Sequence, residues 1–137
     1  MDVDEVVKKG EKIFGELIYK AFPLIKYGIE GSHEFAWESE NVFDAIKILK
    51  GKKILIIGGD VCLIKNERIE YTYDNWALTN DELKGVIEET YKKTINYINN
   101  YILNNSHKKE KFLFVLVFDY KKYLDLNNDD EDVLYIH

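Results

Sequence analysis

The chain has little with which to crosslink or interrupt itself. Of its 137 residues one is cysteine, Cys62, and one is proline, Pro23. A lone cysteine excludes an intrachain disulfide, and its neighbours Val61, Leu63 and Ile64 make it read as a small buried hydrophobe. No stretch rich in Ser, Gly or Pro exceeds a turn and no repeat is visible, so nothing divides the sequence and one domain over residues 1–137 is expected. Long apolar runs are missing too. The longest, Phe112 to Phe118, falls far short of the roughly 20 residues a membrane helix needs, and Met1-Asp2-Val3-Asp4-Glu5 lacks the basic start of a signal peptide. These absences predict a soluble, cytoplasmic protein with no membrane partner. Basic residues are the minority, 19 against 25 acids, for a net charge of −6. Such a balance argues against a protein that neutralises nucleic-acid phosphates or anionic lipid and suits a basic protein partner.

Catalytic and metal-binding patterns are equally scarce. His33, His107 and His137 are scattered, and the sequence contains no HExxH pair, no Cys/His zinc spacing and no phosphate-cradling glycine loop. Cys62 has no histidine near it in sequence that would activate it as a nucleophile. The acidic run at residues 125–132 lacks the ligand spacing and central glycine of a calcium loop. It reads first as a solvated loop, with cation binding or contact with a basic protein as the alternatives. The expectation is a protein that is not an enzyme and carries no metal or cofactor.

What the sequence does have is apolar material, 46% of residues, in patterns of two periods. Val3, Val6, Val7, Ile13, Phe14, Leu17 and Ile18 fall at helical spacing, predicting a helix over about residues 3–20 with Gly10 and Gly15 as weak points. Five acids and no lysine or arginine lie between Glu30 and Asp44, interleaved with Phe35, Trp37 and Phe43. A loop or short strand there should lead into a helix over about 41–50. Residues 54–64 and 69–76 read as two strands joined by a tight polar turn on Asn66-Glu67, an antiparallel hairpin. Thr79 and Glu82 have capping-box spacing, and a helix over about 80–104 follows. Phe112 to Phe118 is apolar on both faces, as a central strand would be, and residues 133–136 suggest a last edge strand. The sum is α+β: a small, mostly antiparallel sheet with a central hairpin, packed by helices.

The hairpin holds the oddest residues. Gly58, Gly59 and Asp60 interrupt an apolar strand, and Thr72, Tyr73, Asp74, Asn75 and Trp76 end its partner. Counting back from Ile64 opposite Ile69 places Cys62 against Tyr71, Asp60 against Tyr73 and Gly59 against Asp74. Glycines there leave room for a large ring such as the Trp76 indole. A carboxylate in an apolar run should accept hydrogen bonds, from backbone amides, a tyrosine hydroxyl or the Trp76 N–H. Two readings of this stretch stand side by side. In one, Asp60 is part of the scaffold. In the other, Asp60, Asp74 and Asn75 form a recognition patch with Tyr71, Tyr73 and Trp76 as aromatic anchors. A small-molecule-binding module or enzyme using a pocket around Asp60, Asp74 and Trp76 is a further alternative, and an Asp60–Asp74 acid–base pair would be its extreme form.

Gly58-Gly59-Asp60-Val61, a short polar turn, and Thr72-Tyr73-Asp74-Asn75-Trp76 together resemble the pattern of the immunity protein 40 family of bacterial polymorphic toxin systems. The resemblance covers residues 54 to 76 and more loosely the following helix, and Cys62 departs from the aromatic or other hydrophobe expected after Val61. It implies a small cytoplasmic α+β protein, encoded beside a secreted toxin, that binds and inhibits that toxin in the producing cell and its siblings. The implied partner is a cognate toxin domain, a basic nuclease being one such class, met by an acidic surface. On this reading the motif residues hold the hairpin, and partner-specific contacts are expected from the acidic stretches elsewhere: Glu34, Trp37, Glu38 and Glu40, and Asp129, Asp130, Glu131 and Asp132.

Overall fold

The computed structural model describes residues 2–119. The acidic residues Asp129, Asp130, Glu131 and Asp132 and the strand expected at 133–136 lie outside the described residues.

The first helix, α1 (Val3–Phe14), starts where the Asp2 carboxylate accepts from the Glu5 amide. It is shorter than the periodicity predicts. Gly15 takes a positive φ of 58°, a conformation that ends an α-helix, and the chain continues as a 3-10 turn over Gly15–Lys20. Ile18 keeps its place in the core through that turn. Strand β1 (Phe22–Pro23), a second 3-10 turn (Leu24–Tyr27) and β2 (Phe35–Glu38) lead into α2 (Ser39–Gly51). The hairpin is β3 (Ile56–Lys65) and β4 (Arg68–Ala77), with Asn66 and Glu67 both at positive φ, as the twist-matched two-residue turn requires. Thr79 and Glu82 make the expected reciprocal capping box. The helix they start is short, however: α3 (Asn80–Lys84) stops at Gly85, whose ψ of −153° is not helical, and α4 (Ile87–Asn104) begins anew. Strand β5 (Phe112–Phe118) closes the described chain.

All five strands form one antiparallel sheet in the order β1-β2-β5-β3-β4. The last of the described strands thus lies in the middle. Leu113 to Leu116 are buried as a strand covered on both faces must be. On one face sit α1, α2 and α4, whose Ile13, Phe14, Ile46, Leu49, Tyr91 and Ile98 pack on Trp37, Val61, Trp76 and Phe114. The Tyr91 hydroxyl donates to the Ile54 carbonyl oxygen at 2.7 Å, pinning α4 beside the start of β3. Among the described residues the other face is covered only in part: Leu24, with Phe22, Tyr27 and Ile29, packs on Ala36, Cys62, Ile69, Leu113 and Val115.

Trp37 is 1% exposed and its ring meets Phe14 edge-on, with centroids 5.0 Å apart. It is a core residue, and the expectation that it contacts a partner is withdrawn: alternation along β2 turns it toward the helices.

Candidate functional site

The near half of the hairpin pairs as counted, with Ile64 opposite Ile69 and Cys62 opposite Tyr71. Beyond it the register shifts. Asp60 stands opposite Asn75 and Gly59 opposite Trp76, so the pairings of Asp60 with Tyr73 and of Gly59 with Asp74 are corrected by two residues. The cause is a bulge on the edge strand, where Thr72, Tyr73 and Asp74 face the single residue Val61. Side chains hold it. The Thr72 hydroxyl donates to the Val61 carbonyl at 2.9 Å and accepts from the Asp74 amide at 3.0 Å. Asn75 Nδ2 donates to the Tyr73 carbonyl at 3.2 Å, and the Tyr101 hydroxyl on α4 donates to Asp74 Oδ2 at 2.8 Å. Burial and the bond to Asp74 push the Tyr101 hydroxyl up to about 12. Tyr73 has a φ of +72° and is 88% exposed.

Each half of the motif explains the other. A methyl group on Gly59 would overlap the Trp76 ring and the Val115 carbonyl oxygen, and one on Gly58 would overlap the Trp76 carbonyl oxygen. The glycines therefore seat the indole, as the sequence suggests. The indole N–H does not reach Asp60. It donates to the buried Thr94 hydroxyl at 3.2 Å, and the ring stacks on Tyr97 with centroids 4.8 Å apart. Thr94 and Tyr101 went unassigned in the sequence, and the only available sign was a polar Thr94 on the apolar stripe of α4.

Asp60 points to the opposite face, the one shared with Cys62 and Val115. It is half-buried and receives no side-chain hydrogen bond among the described residues, contrary to the expectation of a bonded carboxylate. Because Trp76 and the Asp74–Tyr101 bond belong to the α4 side, Asp60, Asp74 and Trp76 do not line one pocket, and an Asp60–Asp74 pair is not formed. Asp60 finds different company. Glu34, just before β2, is close enough for the two charges to repel: desolvation first and the Asp60 charge second raise the Glu34 carboxyl, and desolvation raises Asp60. Burial, then the charges of Asp60 and Glu34, push the Cys62 thiol up to about 12. Tyr71 is pushed up to about 12 as well, by burial and then by Glu34, Cys62 and Asp60. Cys62 is thus a protonated, buried thiol at neutral pH, the inert state of a cysteine.

Glu38 pairs with Lys111 at 2.8 Å, and Glu40 is exposed in the first turn of α2. Both border a cleft of about 400 Å³ with Tyr101, Lys108 and Lys111, so its charge is mixed. Among the described residues no group of three or more His, Cys, Asp or Glu is placed to hold a metal ion. No helix among them is long and apolar enough to cross a membrane.

A five-stranded antiparallel sheet with helices on one face and a bulged glycine–tryptophan hairpin at its edge defines a small α+β protein. The chain belongs to the immunity protein 40 family, whose family model matches residues 23–118, from β1 to the end of β5, and it is therefore an immunity protein. No curated protein and no solved structure matches it.

Proposed function

We propose that this protein binds the toxic domain of a cognate secreted bacterial toxin and thereby neutralises it, in the cytoplasm and without catalysis of its own. The observation that carries this reading is the family match across residues 23–118, which takes in the described sheet from Pro23 onward and the helices α2, α3 and α4 between its strands. An inhibitor of this kind needs a rigid scaffold and one complementary surface. The net charge of −6 favours a basic toxin domain, a nuclease being one example, because opposite charge speeds encounter and orients it. Glu34, Glu38 and Glu40 are the acids among the described residues proposed to meet it, together with Asp129, Asp130, Glu131 and Asp132 of the remaining chain.

The test is co-expression with the toxin domain encoded beside this chain. Growth should be restored and the two proteins should copurify, with an association rate that falls steeply as salt is raised. Continued killing with no complex formed would refute the assignment.

A further inference from the structure

The bulge holds a tyrosine where folding has no use for one. A left-handed backbone is unfavourable for a residue with a Cβ, and glycine or asparagine is the usual occupant. Tyr73 adopts it at a φ of +72° with its side chain 88% exposed. The four bonds that shape the bulge run through Thr72, Asp74, Asn75 and Tyr101 and through the Tyr73 carbonyl, so none of them uses its phenol. Nearby on the same edge of the sheet, Tyr71 and Asn75 share a face with Asp60. Glu34 and Asp60, which repel each other there, have no cationic partner among the described residues. The edge of the sheet therefore presents a preorganised exposed aromatic anchor beside a face with two half-buried acids that lack a counter-charge among the described residues. A basic side chain brought by a partner supplies what is missing, and tyrosine beside arginine or lysine is a common centre of strong protein interfaces.

We propose that the toxin domain docks on this face, with Tyr73 as anchor and a toxin lysine or arginine seated against Asp60 and Glu34. This deepens the immunity reading and rests on it. It also moves the hairpin from pure scaffold to part of the contact surface, while Trp76, Gly58 and Gly59 remain its support.

The experiment measures binding of the neighbouring toxin domain to the purified chain by titration calorimetry. If the unaltered chain does not bind, the functional assignment fails, and the docking face fails with it. If it binds, Tyr73→Gly and Tyr73→Asn, both suited to the left-handed backbone, should keep or raise Tm yet weaken binding roughly 30-fold or more. The double variant Glu34→Gln with Asp60→Asn should weaken binding and reduce its salt dependence, whereas Glu5→Gln, exposed in the first turn of α1, should leave it within about twofold. Tyr73 variants that bind within about twofold of the unaltered chain would overturn the docking face and leave the immunity assignment standing. Loss of binding in Glu40→Gln with the Tyr73 variants intact would move the interface to the α2 side and overturn it equally.

Discussion

At the scale of single residues, the motif is a packing solution before it is anything else. Gly59 and Trp76 stand opposite each other because an indole laid across a strand leaves no volume for a Cβ beneath it. Gly59→Ala must push that ring off Thr94 and Tyr97 or displace the β5 backbone, so it should cost roughly 2 kcal/mol or more in urea unfolding. Gly51→Ala, with open space around it at the end of α2, should change stability little and serves as the control. This much was legible in advance: glycines inside an apolar strand announce a close approach, and a tryptophan on the paired strand is the natural visitor. The destination of its N–H was not legible, because Thr94 is eighteen residues further on and reaches the indole only when α4 lies across the sheet.

At the scale of elements, most boundaries follow from local chemistry, and the departures have local causes as well. Gly15 shortens the first helix and Gly85 divides the long one, both at residues whose backbone freedom weakens a helix. The hairpin turn is right because Asn66 and Glu67 sit between two apolar runs. The register fails beyond Cys62 because a bulge has no period of its own: two added residues preserve the alternation of faces and so leave no trace in the hydrophobic pattern. The bulge is fastened to α4 through a single hydroxyl. Tyr101→Phe keeps the ring packed edge-on to Phe112 and Phe114 but releases Asp74, and should lower stability by about 1 kcal/mol. Hydrogen exchange should locate the change, with faster exchange at residues 73–75 and unchanged protection in β3 and β5.

At the scale of the whole molecule, the sheet order brings together groups that are far apart in the chain. Inserting β5 between β2 and β3 carries Glu34 to within electrostatic reach of Asp60. Both carboxyls are raised in the folded protein, so folding takes up protons as pH falls through their raised values. The stability they contribute is complete below the ordinary carboxylate range near about pH 4 and is lost as pH rises through the raised values. At neutral pH the pair is therefore a burden. Asp60→Asn should raise Tm at pH 7, on the order of a few degrees, and the gain should shrink toward zero as the pH is lowered to about 4. A gain of equal size at both pH values would mean that charge is not its cause. The same pair, costly to the free protein, is what a basic partner would relieve.

The sequence by itself determined the class of fold, the hairpin and its turn, the central character of Phe112 to Phe118 and the seating of a ring over Gly59. Periodicity, turn chemistry and side-chain volume are properties of neighbouring residues, and they survive in a one-dimensional reading. Only the tertiary structure decided that Trp37 is core, that Asp60 and Trp76 face opposite sides of the sheet, that Tyr73 projects from a bulge and that Glu34 comes within reach of the Asp60 charge. Each of these depends on which strands lie side by side and where a helix crosses them, and that is settled by the packing of distant segments.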